Sequence, residues 1–192
     1  MASGGRVLIE CYYCGERSPE QSQSCSNCNT NFSFLRAPTS ELTADQLHGW
    51  LFSEHFQICE QVERTGIASL TDAQRINYFV GYLYFQAENG GVWQYFSNPC
   101  GPDAPLLATT LEQIGASMTA SAIRECLAYF PSSVPPFEMN ARDEIIAQIP
   151  EPQATQLDNR IVALLLGEQS DDDGMPKEDV LRLLKQAVDA RL

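Results

Sequence analysis

The stretch "RINYFVGYLYFQAENGGVWQYF", Arg75–Phe96, decides how the chain is read. Ile76, Phe79, Val80, Leu83, Tyr84 and Ala87 recur at the spacing of one helix face. Thr71 and Gln74 stand just upstream in the order of a capping box. Gly90 falls where a glycine closes a helix, so the helix is expected to stop there in a left-handed turn. Trp93, Tyr95 and Phe96 follow immediately. After a sharp stop their entry angle is set, and they are expected to plug a core between helices, since aromatics bury large areas when packed.

Outward from this stretch the same periodicity continues. Thr43 and Gln46 form a second capping-box pattern, ahead of Leu47, Trp50, Leu51, Ile58 and Val62. "DAPLLATTLEQIGA" predicts a helix with Asp103 as cap, Pro105 in the first turn and Gly115 as the stop. "TASAIRECLAYFP", "NARDEIIAQI" and "QLDNRIVALLL" predict three more, with "SSVPPFEM" as an irregular loop. Pro176 is expected to open the last helix, with Glu178 and Asp179 in its first turn. No convincing strand follows residue 40.

The N-terminal segment differs. "CYYCGERSPEQSQSCSNC" places Cys11, Cys14, Cys25 and Cys28 as two C-x2-C knuckles. Two residues between cysteines let both thiolates of a knuckle face one ion, and two knuckles complete a tetrahedral zinc site. Gly15 and Asn29 follow the knuckles, and these two residue types tolerate the tight turn best. Four protein ligands leave no open coordination position, so the expected Zn2+, one per chain, is structural. The fold class that follows is mainly α, with a small β zinc ribbon over 1–37 and a helical domain over 38–192, joined at "RAPTSELT".

Charge divides along the same boundary. Residues 1–37 hold three basic and three acidic residues, whereas 38–192 hold 22 acidic and nine basic, the whole of the net −13. Such a surface repels nucleic acid and anionic membrane and attracts basic protein. Direct nucleic-acid binding by the ribbon is not expected either, because it has no basic face. The candidate partner-binding carboxylates are Glu54, Glu60, Glu63, Asp143 and Glu144, with Asp171, Asp172 and Asp173 as the densest run. No apolar run is long enough to span a membrane. No basic start leads into an apolar stretch, and seven cysteines without that signal fit a reducing cytoplasm.

Nothing assembles into catalytic machinery. His55 and Cys59 are four apart with no third ligand in view, and Cys100 has no local base or orienting group. Phosphate loops, GxSxG and HExxH are absent. A non-enzymatic binding protein is expected, and a homo-oligomer is left open.

The central stretch resembles the acidic DNA-mimic-protein family. The resemblance rests on Asn89-Gly90-Gly91, Trp93-Gln94-Tyr95-Phe96, Asn98 with Gly101, and Leu111-Glu112-Gln113-Ile114-Gly115-Ala116. It is tight over about residues 72–130, looser out to 192, and does not reach the ribbon. It implies a helical domain without known catalysis, of a kind that presents carboxylates in place of DNA phosphates and occupies a DNA-binding protein or nuclease. An immunity or adaptor protein whose ribbon selects the partner, with acidity serving solubility, is the alternative.

Overall fold

The computed structural model describes residues 8–11, 14–19, 21–28, 30–166 and 178–191. It is mainly helical, with eight α-helices among the described residues and a two-stranded sheet near the start. The chain forms two compact units, Met1–Leu70 and Thr71–Leu192. The division falls one helix later than the polar connector at residue 38, and the first long helix belongs with the cysteine knuckles.

In the first unit, β1 (Leu8–Glu10) pairs antiparallel with β2 (Arg17–Pro19), Ile9 opposite Ser18. An isolated bridge joins Ser24 to Asn31. Ile9, Cys11, Cys25 and Phe32 form a small core, with Cys28 and Leu35 packed against it. So small an apolar cluster is marginal without a further cross-link. α1 (Ala44–Thr65) starts at Thr43, whose side chain accepts from the Gln46 amide while the Gln46 side chain accepts from the Thr43 amide. Its buried face carries Leu47, Trp50, Leu51, His55 and Ile58. The ribbon is tied to α1 by the Ser53 hydroxyl, which donates to the Glu10 carbonyl at 3.0 Å, and by Arg17, which reaches both Glu10 and Glu60.

The second unit is a helical bundle around α2 (Asp72–Gly90), which starts with the expected Thr71–Gln74 capping box. Against it pack α3 (Val92–Ser97), α4 (Ala104–Gln113), α7 (Glu151–Leu166) and α8 (Val180–Asp189). α5 (Ser117–Leu127) packs on α4 and α7, and α6 (Met139–Ile146) packs on α3. Val80, Leu83, Val92, Tyr95, Phe96, Leu107, Leu111, Ile123, Ile161 and Leu184 are fully buried at its centre.

Three local expectations are corrected. The left-handed stop after α2 is Gly91, at φ 81°, and Gly90 is still helical. The aromatics that follow are themselves helical, in α3. A Cβ on Gly91 would come within 2.3 Å of Asp158 Oδ1, and that carboxylate accepts from the Val92 amide at the start of α3. Gly91 therefore leaves room for a cap that arrives from α7. Second, Asp103 makes no side-chain cap to α4. Third, α8 begins at Val180, with Asp179 as its cap accepting from the Arg182 amide, so Glu178 and Asp179 precede the first turn. Pro176 lies outside the described residues.

Candidate metal centre and acidic surface

The two knuckles meet because the hairpin turns each one inward. The Cys11 amide donates to Glu16 O, the Gly15 amide to Cys11 O, and the Cys25 amide to Thr30 O. Gly15 takes φ 71°, the left-handed turn its position demands. The sulfur atoms of Cys11, Cys14, Cys25 and Cys28 all lie within 4.8 Å of one another. Cys11 Sγ is 3.5 Å from Cys28 Sγ, and Cys14 Sγ is 3.5 Å from Cys25 Sγ. These are free thiols, far outside the roughly 2 Å of a disulfide. Cys11 and Cys25 are buried, whereas Cys14 and Cys28 are more accessible.

The thiols interact as a set. Hydrogen bonds from the Thr30 hydroxyl, at 2.9 Å, and from its amide lower the Cys28 pKa to about 6. Cys14 is pushed up to about 11. The Glu16 amide opposes that rise, but desolvation and the neighbouring Cys28 and Cys25 thiols outweigh it. Four sulfur atoms gathered this closely could hold a metal ion.

The other sulfur and imidazole groups are engaged elsewhere. Cys100 is buried, near the Tyr95 carbonyl, and burial pushes its thiol to about 12, which suits packing and not nucleophilic attack. His55 Nε2 and Cys59 Sγ lie 3.4 Å apart on α1. A cleft of about 310 Å³ between α5 and α7 is lined in part by Glu125, Tyr129 and Arg160, and the carboxylate and guanidinium there pair with each other.

The predicted partner-binding carboxylates fall on both units. Glu54, Glu60 and Glu63 are on α1, and Asp143 and Glu144 are on α6. Glu54 and Glu63 are exposed, and Glu60 is paired with Arg17. Asp143 and Glu144 are exposed. Asp171, Asp172 and Asp173 lie outside the described residues.

The charge of the helical unit divides into two groups. Residues 71–192 carry 17 acids and eight bases. Most of the bases are used internally. Arg75 faces Asp72, Arg124 pairs with Glu112, Arg160 with Glu125, Arg182 with Asp179 and Lys185 with Asp189. Glu112 is held below the usual carboxylate range by its hydrogen bond from Arg124. Two acids cap helices: Asp158 at α3, and Glu178 at α5, where it accepts from the Met118 and Thr119 amides and the Thr119 hydroxyl at 2.6–2.9 Å. Glu138, Asp143, Glu144 and Glu151 remain exposed, and none of the ion pairs among the described residues uses them.

One residue of structural weight escapes a reading of the sequence. Arg142 is 1% exposed and faces no carboxylate. Its five N–H groups donate to five backbone carbonyls. Nε reaches Phe96 O at 2.6 Å, Nη1 reaches Pro136 O and Phe137 O at 2.8 and 2.5 Å, and Nη2 reaches Ser97 O and Asn98 O, both at 2.9 Å. Gly101 leaves the space, since a Cβ there would stand 2.9 Å from Arg142 Nε and 2.1 Å from Phe96 O. In "NARDEII" the arginine looks like one more surface charge. The only hint was a lone base in an acidic stretch.

An acidic helical bundle with surplus carboxylates facing solvent, in a chain that also carries a thiol quartet, defines the class: a mainly α acidic protein with an N-terminal cysteine cluster. A family model described as DMP19-like protein matches residues 68–188, and the chain belongs to that family. The match covers the helical unit and leaves out the knuckles and α1. No curated protein and no solved structure matches the chain. Among the described residues no helix is long and apolar enough to cross a membrane.

Proposed function

We propose that this chain is a non-enzymatic acidic binding protein whose helical unit occupies the basic surface of a DNA-binding protein or nuclease in place of DNA. The observation that carries this reading is the coincidence of the DMP19-like match with the unit most of whose bases are spent internally and several of whose acids are exposed and outside its ion pairs. Asp143 and Glu144, with Asp171, Asp172 and Asp173, contribute to that surface. Glu54, Glu60 and Glu63 add to the field from α1, Glu60 the least because Arg17 already neutralises it. The expected working compartment is the cytoplasm.

The cysteine quartet holds one structural zinc ion. Four thiolates about 2.3 Å from a tetrahedral zinc stand roughly 3.8 Å apart. The 3.5 Å sulfur pairs and the 4.8 Å limit on the whole set are of that size. The ion would cross-link a unit whose apolar core is small and would take up the thiolate charge.

A second reading has its own support. The knuckles and α1 form a unit of their own outside the family match, with Phe56 exposed. That unit could select the partner, as in an immunity or adaptor protein, leaving acidity for solubility.

Capture from lysate at low and high salt, followed by elution with duplex DNA, separates the two. Charge competition predicts basic DNA-binding proteins that are retained at low salt and released by duplex. Replacing Glu54, Glu60, Glu63, Asp143 and Glu144 with amides is expected to keep the fold and slow association. Partners that survive high salt and ignore duplex overturn mimicry.

A further inference from the structure

Six large apolar side chains are exposed among the described residues, and three of them, Val134, Phe137 and Met139, fall within six consecutive positions. Phe137 is 84% exposed, Val134 54% and Met139 50%. A phenylalanine that open makes almost no packing contact within its own chain. Its backbone is nevertheless held firmly. Arg142 donates to the carbonyls of Pro136 and Phe137 with one nitrogen, and its other N–H groups lock onto the end of α3. Pro135 is buried, and Pro135 and Pro136 restrict the chain further. The fold spends a buried, fully satisfied arginine on holding in place a loop whose aromatic ring points into water.

The exposed charge in the sequence flanking this loop, residues 131–159, has one sign. Glu138 adjoins Phe137, Asp143 lies one turn from Met139 on α6, and Glu144 and Glu151 follow, all exposed. The only base between residues 131 and 159 is Arg142, and it is buried. The chain's own possible covers are also acidic. Residues 1–70 carry eight acids and four bases, and residues 167–177 carry four acids and one base. In a twofold contact with a second copy, these carboxylates would face their own equivalents. Nucleic acid and anionic lipid are repelled by them.

We propose that residues 134–139 are a preorganised apolar anchor for a basic protein. Phe137 enters an apolar cleft of the partner, and lysines or arginines beside that cleft meet Glu138 and Asp143. The inference rests on the reading of the helical unit as an acidic binder and states where contact is made. A ring held in place before binding loses little freedom on docking, which is how a few central aromatics come to dominate an interface.

The test uses the full-length chain and two peptide probes of equal positive charge, an amphipathic leucine–lysine helix and a glycine–lysine chain. Amide chemical shifts should move around residues 134–144 when the leucine–lysine peptide binds. Phe137→Ala should weaken that peptide by about tenfold or more, the loss typical of an interface hot spot. Its melting temperature should not change, and its binding of the glycine–lysine peptide should be unaltered. Equal leucine–lysine affinity in wild type and Phe137→Ala, or shifts confined to other surfaces, overturns the anchor while leaving charge-led binding standing. Failure of both peptides to bind overturns the charge reading itself. A wild-type dimer that Phe137→Ala dissociates, seen by sedimentation velocity, overturns the basic partner and gives the anchor to a second copy.

Discussion

Arg142 shows how one side chain can hold several backbone segments. A cation at the C-terminal end of α3 is favoured by the helix dipole, and here it also supplies every donor that the local carbonyls need. Because Arg142 has no acidic partner to lose, the cost of removing it lies in the orphaned carbonyls and the cavity. Arg142→Leu is expected to destabilise the helical unit by ~3–5 kcal/mol, read as a lower denaturant midpoint at unchanged slope. A midpoint within error of wild type would mean that the five hydrogen bonds are replaced by water at no cost. Gly91 gives a second residue-scale test. Alanine there meets both a positive φ and the Asp158 carboxylate, whereas alanine at Gly90 keeps a helical backbone and meets only the far end of the Gln94 side chain, whose amide donates to Gln86 and would have to shift. Gly91→Ala should lose ~1–3 kcal/mol and Gly90→Ala clearly less. The reverse order in thermal melts would return the helix stop to Gly90.

At the scale of elements, the bundle is joined by caps that come from distant parts of the chain. α3 is too short to be stable alone, and it is held by Asp158 from α7, by Arg142 from α6 and by the Trp93 indole donating to Ala154 O at 3.0 Å. Phe96 stacks on Phe130 at 5.3 Å, and Trp93 meets Tyr129 edge-on, so the aromatics after Gly91 close the core between α2, α5 and α7. α5 lacks a capping side chain of its own, and Ala116 stands at its N-cap. Glu178 serves from some 60 residues away. Glu178→Ala is expected to cost ~1–2 kcal/mol and to raise amide exchange first at Met118 and Thr119. Uniform exchange across the unit would show that α5 does not depend on this cap.

At the scale of the whole molecule, the division at residue 70 predicts two units of separate stability. The knuckle unit is expected to depend on the proposed metal cross-link and the helical unit on its apolar core. A chelator, or Cys14→Ser, is therefore expected to release the metal and unfold the knuckles, while most of the far-UV helix signal persists. Elemental analysis should find one zinc per chain in protein purified without chelator. A single cooperative loss of all helix on chelation would show instead that the units fold as one, and zinc-free protein with intact knuckles would remove the metal reading.

Much of this was legible before any coordinates. Period-3.6 patterning, both capping boxes, Gly115 and the Cys11–Cys28 spacing are local signals, decided within a few residues by backbone sterics and side-chain reach. The helical class, the thiol quartet and the family resemblance all follow from such signals. Tertiary structure alone decided the rest. Two adjacent glycines compete for one helix stop, and Gly91 takes it because the Asp158 carboxylate comes in from α7 to cap α3. Asp103 looks like a cap and makes none, while Glu178 looks like first-turn charge and caps another helix. Arg142 and Asp143 are neighbours in sequence, yet one is sealed under five carbonyls and the other faces water. Charge in a sequence is only a count. Which charges are spent inside and which are left to meet a partner depends on long-range packing, which no local pattern encodes.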